Sequence, residues 1–161
     1  MAVPSRRLVV DASVASAAGA SHRSYRTRDF LLEVLKVSHR IVMTASLSKE
    51  WDKHQSRFAM KWRAEMRSRE KVVDIDEIEN LELRTQVKMT KGVEKDLHLV
   101  EAALATDTIV VSLDDRAARD LCVEATKEVV WVNAAAEGGH AIYWMRVGAN
   151  PVEKWKLGYR A

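Results

Sequence analysis

Thr108-Ile109-Val110-Val111-Ser112-Leu113-Asp114-Asp115 runs from an unbroken β-branched stretch into two acids. A strand with no polar alternation is one covered on both faces, and such strands belong to parallel sheets flanked by helices. The same order, an apolar run and then an acid, occurs at Leu8-Val9-Val10-Asp11. In open parallel sheets, ligands bind outside the C-terminal ends of the strands, where the strand order reverses. If the strands ending at Asp11 and Asp114 are neighbours, their two carboxylates meet.

The remaining strands and helices alternate around these two runs. Ile41-Val42-Met43-Thr44 reads as a second strand, Val72-Val73 as a short third, and Val129-Val130-Trp131-Val132 as the last. Phe30 to Val37 has helical spacing. Ser46 is expected to cap a long helix on which Leu47, Trp51, Phe58, Trp62 and Met66 form one apolar stripe. Glu77 to Lys88 reads as a helix with Ile78, Leu81 and Val87 inward. After a break at Gly92, a helix from about Val93 is expected to bury Leu97, Val100 and Leu104, and another spans about Asp115 to Val123. This alternation gives an α/β domain with a mainly parallel sheet.

The chain has 161 residues, 47% of them hydrophobic, which is enough for one domain with a core of its own. No internal repeat or linker divides it, so residues 1–135 are taken as the domain. Residues 136–161 form an extension in which Tyr143, Trp144, Trp155 and Tyr159 interleave with Arg146, Lys154, Lys156 and Arg160. Such a segment packs on the domain, covers an oligomer contact, or stacks single-stranded bases. The single cysteine, Cys122, excludes an intrachain disulfide and reads as a small buried residue suited to a reducing cytoplasm. No apolar stretch reaches the roughly 20 residues of a membrane span, and no signal-peptide-like centre follows Met1, so a soluble cytoplasmic protein is expected.

A net charge of +3 says little about partners, but its distribution says more. Eight Lys or Arg residues fall between Lys49 and Lys71 against four acids, and the sign then reverses through Asp74, Asp76, Glu77, Glu79 and Glu82. On one continuous helix, Glu50, Lys53, His54, Arg57 and Lys61 would share a face. That stripe is either a solvated surface or a track for phosphates leading away from Glu50, with Lys53, Arg57 and Lys61 as the nucleic-acid-binding candidates. Arg23, Arg26 and Arg28 are candidates for the same rim. Lys95 and Arg116, each beside an acid, pair with it or bind phosphate.

Two further acids complete the pattern. Glu50 and Asp96 are each expected in the first turn of a helix, where the macrodipole favours negative charge. Singly, each of the four acids reads as an ordinary cap or turn residue. Gathered together they repel one another unless a cation sits among them. Oxygen ligands with no Cys or His at metal-ligand spacing point to Mg²⁺ or Mn²⁺ rather than zinc.

Val9-Val10-Asp11-Ala12-Ser13-Val14, Ser48-Lys49-Glu50, Lys95-Asp96-Leu97-His98 with Ala102-Ala103, and Val111-Ser112-Leu113-Asp114 together resemble the PIN-domain family of metal-dependent nucleases, which includes VapC-like toxins. The resemblance covers roughly residues 6–132. It implies a three-layer α/β/α sandwich with strand order 3-2-1-4-5, and endonucleolytic cleavage of single-stranded RNA. Asp11, Glu50, Asp96 and Asp114 are then the catalytic, metal-binding carboxylates, with Ser13 and Ser112 supporting them. One or two divalent ions would polarise the phosphate, activate water and neutralise charge in an in-line displacement. Homodimerisation and an antitoxin partner are implied in the same way. The other outcome is a catalytically weak or inactive PIN domain that binds RNA or protein.

Asp115 either adds a contact to the same cation or caps the helix that follows. His98 is expected to make a structural hydrogen bond, since two residues along a helix it points away from Asp96. His22, His39 and His140 have no partners at metal-ligand spacing. A receiver domain would need its acidic pair after the first strand, and a haloacid-dehalogenase-type phosphotransferase an acid where Ser13 stands. Neither pattern is present.

Overall fold

The apolar runs form a five-stranded sheet in which every neighbouring pair is parallel, in the order β3-β2-β1-β4-β5. The computed structural model describes residues 4–19, 25–136 and 140–160; His22, Arg23 and Gly138-Gly139 lie outside them. The strands are β1 (Arg7–Val10), β2 (Arg40–Met43), β3 (Val72–Asp74), β4 (Ile109–Ser112) and β5 (Val130–Asn133). Val9 and Val10 of β1 align with Val110 and Val111 of β4, so Asp11 and the 113–114 turn leave the sheet side by side. Both of these strands are buried almost throughout, as their uninterrupted apolar runs require.

Eight helices among the described residues flank the sheet in a three-layer α/β/α arrangement. They are α1 (Ala12–Ala17), α2 (Tyr25–Lys36), α3 (Ala45–His54), α4 (Arg57–Ser68), α5 (Leu81–Gln86), α6 (Lys91–Leu104), α7 (Asp115–Asp120) and α8 (His140–Arg146). The fold class and strand order are those expected.

Several local expectations are corrected. The long helix is two helices, α3 and α4, parted at Gln55-Ser56, where both residues adopt extended backbone. Ser56 caps α4 by accepting from the Ala59 N–H at 3.0 Å, and its own N–H donates to the Ala15 carbonyl. The apolar stripe runs on across the break because Trp51 and Phe58 are seven residues apart, so spacing alone conceals it. Arg63 holds the two helices together: its guanidinium lies over the Trp51 ring at 5.7 Å and bonds Asp52 at 2.7 Å. Trp51 and Trp62 stack with ring centroids 5.9 Å apart, both in the core, with Nε1 donating to the Val10 and Leu31 carbonyls.

Thr44, not Ser46, caps α3, accepting from the Leu47 N–H at 3.1 Å. Thr90 caps α6, so Gly92 sits inside the first helical turn rather than before it. The helix expected from Glu77 shortens to Leu81–Gln86 because Asn80 caps it. Ile78 and Leu81 are consequently exposed, and Leu83 and Val87 are the inward residues. Glu101, buried on α6, fixes that cap from afar by accepting from the Asn80 N–H and from Arg84 at 2.8 and 3.1 Å.

The extension covers the β5 edge of the sheet. Lys156 forms an antiparallel bridge with Val130, and the Leu157 N–H donates to the Val129 carbonyl at 2.9 Å. Gly158 permits that approach: a Cβ there would lie 2.6 Å from Lys127 Cβ. Trp144 packs edge-on against Trp155, with centroids 5.5 Å apart, and α8 lies against α2 through an Arg146–Glu33 ion pair. Covering an edge strand removes an exposed template for pairing with another chain. Cys122 is half-buried and its thiol donates to the Leu157 carbonyl. No helix among the described residues is long and apolar enough to cross a membrane.

Candidate functional site

Beyond the C-terminal ends of β1 and β4 lies a cavity of about 230 Å³ lined by Asp11, Glu50, Asp96 and Asp114, with Ser13, Ser16, His54, Lys95 and His98. The four acids come from four different places: the end of β1, the middle of α3, the middle of α6 and the start of α7. Glu50 and Asp96 sit in the second turns of their helices, because α3 starts at Ala45 and α6 at Lys91. The expected macrodipole support, strongest in the first turn, is correspondingly weaker.

Asp11 is the most firmly held of the four. Its Oδ2 accepts from the Ser13 and Ser112 hydroxyls, both at 2.8 Å. Ser112 is fully buried and also accepts from the Asp114 N–H at 3.0 Å, while Ser13 accepts from the Leu113 N–H at 3.2 Å. Two hydroxyls thus lock the carboxylate of one strand end to the backbone of the other, which is the supporting role expected of them. Asp114 Oδ1 caps α7, accepting from the Arg116 and Ala117 N–H groups at 3.1 and 3.0 Å. Capping therefore falls to Asp114 and not to Asp115. Asp115 lies near Asn133, at 3.5 Å, and lines a different cavity.

Asp96 reports the electrostatic cost of this gathering. Burial first, then the neighbouring charges of Asp11, Asp114 and Glu50 against the pull of Lys95, together push its carboxyl up to about 6. A carboxylate raised mainly by desolvation and by like charges is stabilised by any cation that enters. The donor set, all hard oxygens, suits a divalent ion of the Mg²⁺ or Mn²⁺ type. Among the described residues, however, no three Asp, Glu, His or Cys side chains converge tightly enough to hold an ion as they stand. The acids share one cavity but would have to draw together to share one cation.

Two residues of the cavity wall were not among the site candidates read from the sequence, although spacing set one of them, His54, on the face of Glu50. His54 Nε2 lies 3.6 Å from Glu50 Oε2, one helical turn on, a relation visible in the i, i+4 spacing. His98 lines the cavity with Asp96 despite being two residues along, and its buried Nδ1 has no hydrogen-bond partner among the described residues. The expected structural hydrogen bond is absent at that atom. Burial holds the His98 imidazole below its ordinary value, opposed by Asp11, Glu77, Glu50 and Glu101. His39, by contrast, is structural: it accepts from the Arg6 N–H at 2.9 Å and its Nε2 meets the Met145 carbonyl at 2.7 Å.

The basic stripe is divided between two helices. Lys53 and His54 belong to α3, Arg57 and Lys61 to α4, and the extended pair Gln55-Ser56 lies between. Lys53, Arg57 and Lys61 are exposed and none lines the carboxylate cavity. Arg28 pairs with Asp29 at 3.8 Å, and Arg26 donates to the Tyr25 hydroxyl. A second cavity of about 500 Å³ adjoins the first through Glu50, Lys95 and His98. No protein-family model, curated protein or solved structure matches the chain.

Proposed function

We propose that the protein is a divalent-metal-dependent ribonuclease that hydrolyses phosphodiester bonds in single-stranded RNA, acting through the carboxylates of Asp11, Glu50, Asp96 and Asp114. One observation carries this assignment. Four acids from four separate elements line one cavity at the β1/β4 strand ends, and one of them is held near a pKa of about 6 by burial and its neighbours. An arrangement that costs stability without a counter-ion is the signature of a site made for one. The motif resemblance to PIN-domain nucleases points to the same chemistry, with a toxin role, an antitoxin partner and a homodimer as the associated possibilities.

When bound, Mg²⁺ or Mn²⁺ supplies the Lewis acid that polarises a phosphate and offsets its developing charge. The chain's own part is positional. Ser13 and Ser112 fix Asp11, and the helix cap fixes one oxygen of Asp114. Lys95 on the cavity wall is the cation placed to meet a phosphate oxygen. His54, against Glu50, is placed to restrain that carboxylate.

A second assignment has its own support: a catalytically weak PIN-like domain that binds RNA or protein. It is favoured by the lack, among the described residues, of three acids close enough to hold an ion without rearrangement. Incubating the protein with single-stranded RNA in Mg²⁺, Mn²⁺ or EDTA separates the two. The nuclease cuts in either metal, stops in EDTA, and is nearly silenced by Asp11→Asn or Asp96→Asn. Equal cutting by both variants would assign the activity to another site or a contaminant, and no cutting by the wild type leaves the binding module.

A further inference from the structure

The carboxylate cavity is flanked by two others of opposite character. The cavity of about 500 Å³ between α3 and α6 carries six acids (Glu50, Asp76, Glu77, Glu79, Glu94, Glu101) against three bases (Lys49, Arg84, Lys95), so it repels a polyanion. The other, about 530 Å³, lies between α7, β5 and the C-terminal extension and carries one acid, Asp115, against Arg119, Lys154, Lys156 and Arg160. Consecutive residues at the start of α7 line the two sites: Asp114 the carboxylate cavity and Asp115 the basic one.

The basic cavity is built for more than charge. Lys156 is spent on Glu128 and Glu153, at 2.7 and 2.9 Å. Arg119, Lys154 and Arg160 are exposed and make no ion pair among the described residues. Trp131 and Trp155 form its apolar wall. Trp131 is 7% exposed, and its buried indole N–H has no acceptor among the described residues. A buried donor without an acceptor is costly, and a ligand oxygen offered from the cavity side relieves it. Aromatic faces, free cations and an orphan N–H together match a nucleotide: base to ring, phosphate to cations, carbonyl to indole.

We propose that this cavity is a nucleotide subsite, holding a flanking residue of a single-stranded nucleic acid whose scissile phosphate lies among the carboxylates. Its identity as a substrate subsite rests on the ribonuclease assignment; the binding itself does not. It is distinct from the Lys53-Arg57-Lys61 surface and is reached across the first turn of α7.

The test is binding of a short labelled single-stranded RNA in EDTA, read by fluorescence anisotropy across a salt series. Arg119→Gln, Lys154→Gln and Arg160→Gln combined should weaken binding about tenfold or more and flatten the log–log salt slope by about 2. Trp131→Phe, which keeps an aromatic ring smaller than indole and removes the donor, should cost about fivefold. In the wild type, the Trp131 indole resonance, assigned by its loss in that variant, should move on adding RNA. Wild-type affinity in the triple variant overturns the subsite, as does failure of the wild type to bind RNA. Equal binding of a poly-glutamate peptide of matched charge overturns it in favour of an acidic protein segment. Cleavage in Mn²⁺ with binding indifferent to the triple variant sinks the subsite and spares the nuclease. RNA held through these cations but never cut sinks the nuclease and spares the subsite.

Discussion

Asp96→Asn should stabilise the metal-free protein at neutral pH. The carboxyl of Asp96 is raised from 3.8 to about 6, chiefly by burial and then by Asp11 and Asp114. A group whose folded pKa is raised contributes stability that is complete below its unfolded value, near 3.8, and is lost as pH climbs through about 6. The full rise corresponds to about 3 kcal/mol of destabilisation at pH above 7. Asp96 is only partly shielded, and solvent screening reduces this to about 1–2 kcal/mol. Asn keeps the shape and removes the charge, and Asp96 accepts no hydrogen bond among the described residues that Asn would forfeit. Urea unfolding in EDTA should therefore show a higher midpoint for the variant at pH 7.5, with the gain vanishing at about pH 4. In saturating Mn²⁺ the order should reverse, because only the wild type keeps the full ligand set. An Asp96→Asn variant less stable than wild type in EDTA at pH 7.5 would show that burial and the neighbouring acids do not destabilise the Asp96 carboxylate.

Ser112→Ala should cost about 1–3 kcal/mol, since it removes a donor to Asp11 and leaves the Asp114 N–H without its acceptor; thermal unfolding reads the loss, and Mn²⁺ affinity should fall with it. His39 is held below its ordinary pKa mainly by burial, so its contribution is present above about 6.5 and lost as pH falls. In the Asp96→Asn background, which removes the opposing titration, the urea midpoint should drop between pH 7.5 and 5.5; a flat profile would contradict it. Arg84→Ala strips Glu101, whose side chain is 5% exposed, of its ion pair and should cost about 2–4 kcal/mol, with faster hydrogen exchange across α5.

The sheet was legible because β1 and β4 are buried on both faces, which leaves unbroken apolar runs such as Ile109-Val110-Val111. The acids were legible for a related reason: a strand that ends in Asp at a parallel sheet's carboxyl edge has few structural reasons to do so. Helix boundaries were less legible. The break at Gln55-Ser56 is set by Ser56 bonding back to the end of α1, a contact that spacing cannot reveal, while Trp51 and Phe58 stay in phase across it. The start of α5 depends on Glu101 reaching Asn80 from twenty-one residues away in sequence. That tertiary cap overrides the apolar spacing of Ile78 and Leu81. His98 shows the same limit within the site. Helical geometry correctly separates it from Asp96, yet the cavity is wide enough to meet both.

Manganese anomalous scattering from crystals of the protein addresses the carboxylate assignment itself. One peak inside the β1/β4 cavity, within ligand distance of oxygens from Asp11 and Asp96 and lost in Asp11→Asn, is the predicted result. A cavity without a peak at saturating manganese, with the four carboxylates still apart, would contradict it.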